Sequence, residues 1–156
     1  MRGGSAPSAN GEGQLQELMR GGHMAEALTI LGARLRADAD DREALYLAAV
    51  CSRFQKAHPD AEAYLDRLLR QAPEDGRALQ ELGHLHRDQG RDEAAVAAYT
   101  RALSANPALL ASYDNRIELL RKLGRDREAT AVVTARLRAA SLPRALLATT
   151  DLLAQG

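Results

Sequence analysis

A stretch of 34 residues, Gly76 to Leu109, recurs along this chain, and that period restricts the fold more than any other feature. It reads GRALQELGHLHRDQGRDEAAVAAYTRALSANPAL, two short amphipathic segments parted by Gly90 and closed by Asn106-Pro107. Leu79, Leu82, Gly83 and His86 fall on one face of the first segment at helical spacing. Ala95, Tyr99 and Ala102, with Leu103 beside them, do the same on the second. Moved back by its own length, the pattern covers Arg42 to Asp75. Leu45, Ala49, Ala61, Leu65, Leu68 and Pro73 then stand where Leu79, Gly83, Ala95, Tyr99, Ala102 and Pro107 stood. Lys56 replaces the turn glycine, and Pro59 sits in the first turn of the second helix, where a missing N–H is tolerated.

Moved forward, the pattern covers Leu110 to Pro143, with Gly124-Arg125-Asp126-Arg127-Glu128-Ala129 echoing Gly90 to Ala95. Tyr113, Ile117 and Leu120 are expected to line its first helix, and Ala129, Val133 and Leu137 its second. The leading unit, 8–41, is partial. Its second helix is marked by Ala27, Leu28, Leu31 and Leu35, but Gly11 and Gly13 reduce its first to about Gln14–Arg20. Residues 1–13, rich in Gly, Ser and Ala, read as a flexible leader, and 14–156 as one domain. A further helix is expected over 144–155. It is apolar for an end helix, and three readings stand: it packs on the preceding unit, the chain continues, or it meets a second copy and forms a homodimer.

Ala and Leu dominate the apolar residues, aromatics make up 3%, and no alternating β-branched run long enough for a strand occurs, so the chain reads as all-α. The formal net charge of zero argues against a nucleic-acid partner, whose phosphates draw a basic excess. No apolar run reaches the length that spans a bilayer, so no membrane partner is expected. With a single cysteine, Cys51, a disulfide framework is excluded and a reducing, cytoplasmic compartment is the expectation.

Spaced this way, the sequence resembles the tetratricopeptide repeat family. The resemblance implies a right-handed α-solenoid of antiparallel helix pairs, here three to four repeats (8–41 in part, 42–75, 76–109, 110–143) plus a capping helix. Each pair must stack on the next, because neither helix can bury its apolar stripe alone. Gly83, Ala95 and Ala102 would let helices approach closely, and a large side chain at such a place costs about 1–3 kcal/mol.

The residues offer little to chemistry. His84 and His86 are two apart on one helix and do not share a face, while His23 and His58 lie at helix starts, so no metal site is expected. Cys51 has no base nearby and reads as a small buried hydrophobe. No nucleophile elbow or phosphate loop is present, so neither an enzyme nor a cofactor is expected.

What remains is a surface. The resemblance implies that the first helix of each pair lines a concave groove that takes a protein or an extended peptide. The matching positions are Tyr46, Val50, Arg53 and Phe54, then Arg77, Gln80, His84 and Arg87, then Asp114, Glu118 and Arg121. Tyr46, Val50 and Phe54 form an apolar strip, either open to a ligand or packed on the first repeat. Arg53, Arg77, Arg87 and Arg121 either bracket a carboxylate or belong to a solvated mixed-charge face. The lysines with which chaperone-binding members clamp a peptide terminus are missing from the matching positions, so that role is not expected. The C-terminal half is also similar to the repeat region that precedes a sulfotransferase domain in some bacterial proteins. That similarity implies an accessory module of a larger enzyme; a self-associating structural module is the other alternative to a scaffold or adaptor.

Overall fold

The computed structural model describes residues 9–141. Among them are eight α-helices and no strand: α1 (Ala9–Arg20), α2 (Met24–Ala37), α3 (Arg42–Phe54), α4 (His58–Gln71), α5 (Gly76–Asp88), α6 (Asp92–Ala105), α7 (Leu110–Lys122) and α8 (Asp126–Ser141). The architecture is the all-α solenoid class of paired helices that the repeat implies. Second helices begin at Met24, His58, Asp92 and Asp126, and α3, α5 and α7 begin at Arg42, Gly76 and Leu110, so both series advance by 34 residues. The helices fall into two compact units, α1–α4 ending at Gln71 and α5–α8 beginning at Ala72. The helix expected over 144–155 lies outside the described residues.

Helix α1 starts at Ala9, ahead of the expected Gln14, and runs through Gly11 and Gly13. A helical glycine costs about 1 kcal/mol but creates no clash, and burial of Leu15 (3% exposed) helps to hold the helix.

One backbone motif closes the first helix of every pair. The N–H groups of Gly22, Lys56, Gly90 and Gly124 reach back to carbonyls of the last turn. The next N–H reaches five residues back, as in Arg91 to His86 at 2.8 Å and Arg125 to Leu120 at 2.8 Å. This geometry requires a left-handed backbone, with φ of +80°, +71° and +72° at Gly22, Gly90 and Gly124 and +59° at Lys56. A β-carbon disfavours that region by roughly 1–2 kcal/mol, partly offset by the greater unfolded-state freedom of glycine. Lys56→Gly is therefore expected to add about 0.5–1 kcal/mol of stability. In thermal unfolding followed by circular dichroism the midpoint should rise by a few degrees; an unchanged or lower midpoint would show no strain at this turn.

Four alanines, Ala27, Ala61, Ala95 and Ala129, hold the same place in α2, α4, α6 and α8, each at most 1% exposed. Their burial at one recurring position marks the face on which each second helix packs. Asp41 and Asp75 cap α3 and α5, their carboxylates accepting from Ala44 N at 2.9 Å and Ala78 N at 3.0 Å. In the second unit Tyr99, Leu103, Tyr113, Ile117, Leu120 and Val132 form one core.

Two expectations of burial are corrected. Leu137 is 60% exposed, and Val132, not Leu137, joins the core. Helix α6 is covered by both α5 and α7, whereas α8 packs mainly on α7, so a position buried in α6 as Leu103 stays open in α8. In α5, Leu82 and His86 are only half-buried, while Ala78 and Leu85 are fully buried. Helix α5 meets α6 on one flank and bonds to α7 on another, so its burial spreads beyond a single stripe.

Candidate functional site

In the second unit, α5 and α7 lie side by side and are tied by two side-chain bridges. Ser112 Oγ donates to Gln80 Oε1 at 3.0 Å, and Arg87 Nη1 donates to Asn115 Oδ1. Asn115 is itself held, its Nδ2 donating to Ala111 O at 2.7 Å. The Arg87 guanidinium also lies 3.5 Å from the Asp88 carboxylate. Gln80 and Arg87, expected on the ligand face, therefore belong also to the joint between neighbouring first helices. The separations in sequence, 32 and 28 residues, are near one repeat, which is why such a joint forms between equivalent faces.

His84 is half-buried, and its Nδ1 lies 2.6 Å from Tyr99 Oη on α6. The two rings meet edge to face at 5.4 Å between centroids. Its ring is thus oriented from beneath by the core.

On α7, Asp114, Glu118 and Arg121 come together, one or two turns apart, around a shallow open cavity of about 350 Å³ with Ile117 in its lining. Asp114 accepts from Arg136 of α8, with Nη2 to Oδ2 at 3.1 Å, and this bond pushes the Arg136 guanidinium above its ordinary pKa. Glu118 and Arg121 are exposed and make no ion pair or side-chain hydrogen bond among the described residues. Arg77, at the start of α5, is exposed.

In the first unit, Tyr46, Val50 and Arg53 are half-buried on α3, while Phe54 is 58% exposed. The Arg53 guanidinium sits over the Phe54 ring at 4.7 Å from its centroid. The apolar strip is thus uneven, partly withdrawn at Tyr46 and Val50 and open at Phe54.

Sequence reasoning missed Ser112, and it did not anticipate that Asp114 is neutralised by Arg136. No spacing rule signals either, since both depend on how helices from different pairs face one another. Among the described residues no three His, Cys, Asp or Glu side chains gather as a metal set, and no helix is long and apolar enough to cross a membrane.

A family model for the tetratricopeptide repeat matches residues 13–76 and 58–109. No curated protein matches the sequence. Among solved structures, the crystal structure of MamA aligns with a TM-score of 0.74 at 20% identity, covering 81% of this chain and 74% of that one. MamA from residue 41 to its end, from Desulfovibrio magneticus RS-1, aligns with a TM-score of 0.71 at 18% identity over 81% of this chain and 71% of that one. At these identities the likeness is one of fold.

Proposed function

Because the chain belongs to the tetratricopeptide repeat family, we propose that it is a non-catalytic scaffold or adaptor that seats a protein or an extended peptide on its first-helix faces. The observation that carries this reading is the α5–α7 face of the second unit. There the Gln80–Ser112 and Arg87–Asn115 bridges tie the two first helices together, and Glu118 and Arg121 of α7 are exposed. A rigid, polar, pre-ordered surface of this kind binds with little entropy lost in its own side chains. Burial of the only cysteine, Cys51, accords with a cytoplasmic location.

The test is affinity capture with the full chain and with Tyr46→Ala/Arg87→Ala, after checking that both fold. Loss of one or more partners in the double variant is the expected result. Identical partner sets would remove the first-helix faces from the binding surface.

A second reading, self-association, is favoured by the 60% exposure of Leu137 on α8. Light scattering at rising concentration should then show a dimer that Leu137→Gln dissociates. A strict monomer throughout would dismiss it.

A further inference from the structure

A cavity of about 280 Å³ lies wholly within the second unit, between the 73–74 turn and the end of α6. Pro73, Leu79 and Ala105 form its apolar part. Glu74 and Arg101 also line it; both are exposed, and neither makes an ion pair or side-chain hydrogen bond among the described residues. The remaining lining is two hydroxyls, each of which spends its proton on the helix. Thr100 Oγ1 donates to Val96 O at 2.7 Å and Ser104 Oγ to Thr100 O at 3.2 Å, so both offer the cavity lone pairs only. Helix α6 is also the one described helix whose last turn holds no basic residue. The final carbonyls of a helix lack intrahelical partners and carry partial negative charge, which a cation offsets. Arg101 precedes that turn, and helical side chains lean toward the N-terminus, away from it. One end of the cavity is therefore rich in acceptors and the other holds a guanidinium.

We infer that this cavity takes a lysine with a free carboxylate, or a small ω-amino acid of the same length. The ammonium sits against Glu74 and the end of α6, the methylenes lie on Pro73, Leu79 and Ala105, and the carboxylate meets Arg101. An ammonium has three donors and no acceptor, which suits hydroxyls that present only lone pairs. A methylene stem buries on apolar surface while its charged head keeps polar contacts. The guanidinium of Arg101 has its donors free to take a carboxylate bidentately. Arg101 and Ala105 are one turn apart, about 6 Å along the axis, so the two charges of the ligand need a comparable separation. An α-amino group stands too close to its own carboxylate, whereas the side-chain ammonium of lysine spans the distance. Small-molecule sites run to about 300–1,000 Å³, and this cavity, at the lower end, fits a ligand of few atoms. It shares no lining residue with the first-helix surface proposed above, so either can fail without the other.

The experiment is an amide NMR titration of the full chain with 6-aminohexanoate, hexylamine and hexanoate. A Gly/Ser peptide ending in lysine is added as the free acid and as the amide. Shifts should concentrate on residues 73–79 and 100–105. 6-Aminohexanoate should bind about fivefold more tightly than either one-ended compound, and more weakly as salt rises. Glu74→Gln and Arg101→Gln should each cost about fivefold in its affinity at unchanged thermal stability. Glu74→Gln should leave hexanoate unaffected and Arg101→Gln hexylamine, a split that a structural defect does not produce. Binding of the free-acid peptide as well assigns the cavity to a C-terminal lysine; binding of 6-aminohexanoate without it assigns the cavity to a free small molecule. No saturable shift with any compound, hexylamine equal to 6-aminohexanoate, or a peptide amide equal to the acid would overturn the inference.

Discussion

Tyr99→Ala is expected to cost about 3–5 kcal/mol, the range for deleting a fully buried aromatic ring. Tyr99 is 0% exposed and heads the fully buried side chains in volume. Its ring lies on the bare backbone of Gly83, and its hydroxyl meets His84 Nδ1 at 2.6 Å. The alanine would leave a cavity between α5 and α6 that neither helix can close without parting from α7. Against a total stability of roughly 5–15 kcal/mol, that loss is a large fraction. Tyr99→Phe separates the two contributions, because it keeps the ring and removes the hydrogen bond. It should cost about 1 kcal/mol, since half-buried His84 can turn to water. Urea unfolding gives both differences, and amide exchange should show α5 and α6 loosening first in the alanine variant. A Tyr99→Ala loss no greater than that of Tyr99→Phe would mean that the ring is not a packing centre.

Much of the fold was legible from the period itself. A 34-residue repeat places the starts of α3, α5 and α7 at its unit boundaries, though not that of α1, and Lys56 stands out as the missing turn glycine before its φ of +59° is seen. Burial was legible only in part. A periodic stripe shows which side of a helix faces one neighbour, yet α5 has two, so Leu85 and Ala78 disappear into the core while Leu82 does not. Glu81 is 4% exposed, and Ser52 and Ser112 are buried as well. Polar residues are assigned to solvent from sequence because the partner that makes burial tolerable lies a repeat away, as Gln80 does for Ser112. The candidate surface was least legible. His84 and Asp114 occupy first-helix positions as expected, but Tyr99 and Arg136 engage them from the second helices. Those engagements depend on the reach and rotamer of long side chains, which spacing does not encode. Arg121 could be picked out by its recurrence, but its exposure and the cavity beside it come from packing.

The place where sequence and packing meet most closely is Gly83, and there the sign of a small substitution is the informative quantity. Gly83→Ala would gain about 1 kcal/mol in an isolated helix, because alanine loses less backbone freedom. In this chain the new β-carbon would fall 2.6 Å from Tyr99 Cε1, 2.7 Å from Cδ1 and 2.9 Å from Cζ, far inside contact distance. The ring cannot swing aside, since it is fully buried and its hydroxyl is held by His84. Overpacking of this kind costs about 1–3 kcal/mol and outweighs the propensity gain, so a net loss is expected for alanine and a larger one for Gly83→Leu. The dependence on Tyr99 can be isolated by a double-mutant cycle. In a Tyr99→Leu background the flat ring is gone, and Gly83→Ala should become neutral or stabilising as the helix regains its propensity term. The change of sign between the two backgrounds, read by urea unfolding, is the expected result. A Gly83→Ala penalty that persists unchanged in the Tyr99→Leu background would place the obstruction in the backbone rather than in the tyrosine. The glycine would then serve helix approach in general, and its pairing with Tyr99 would be incidental.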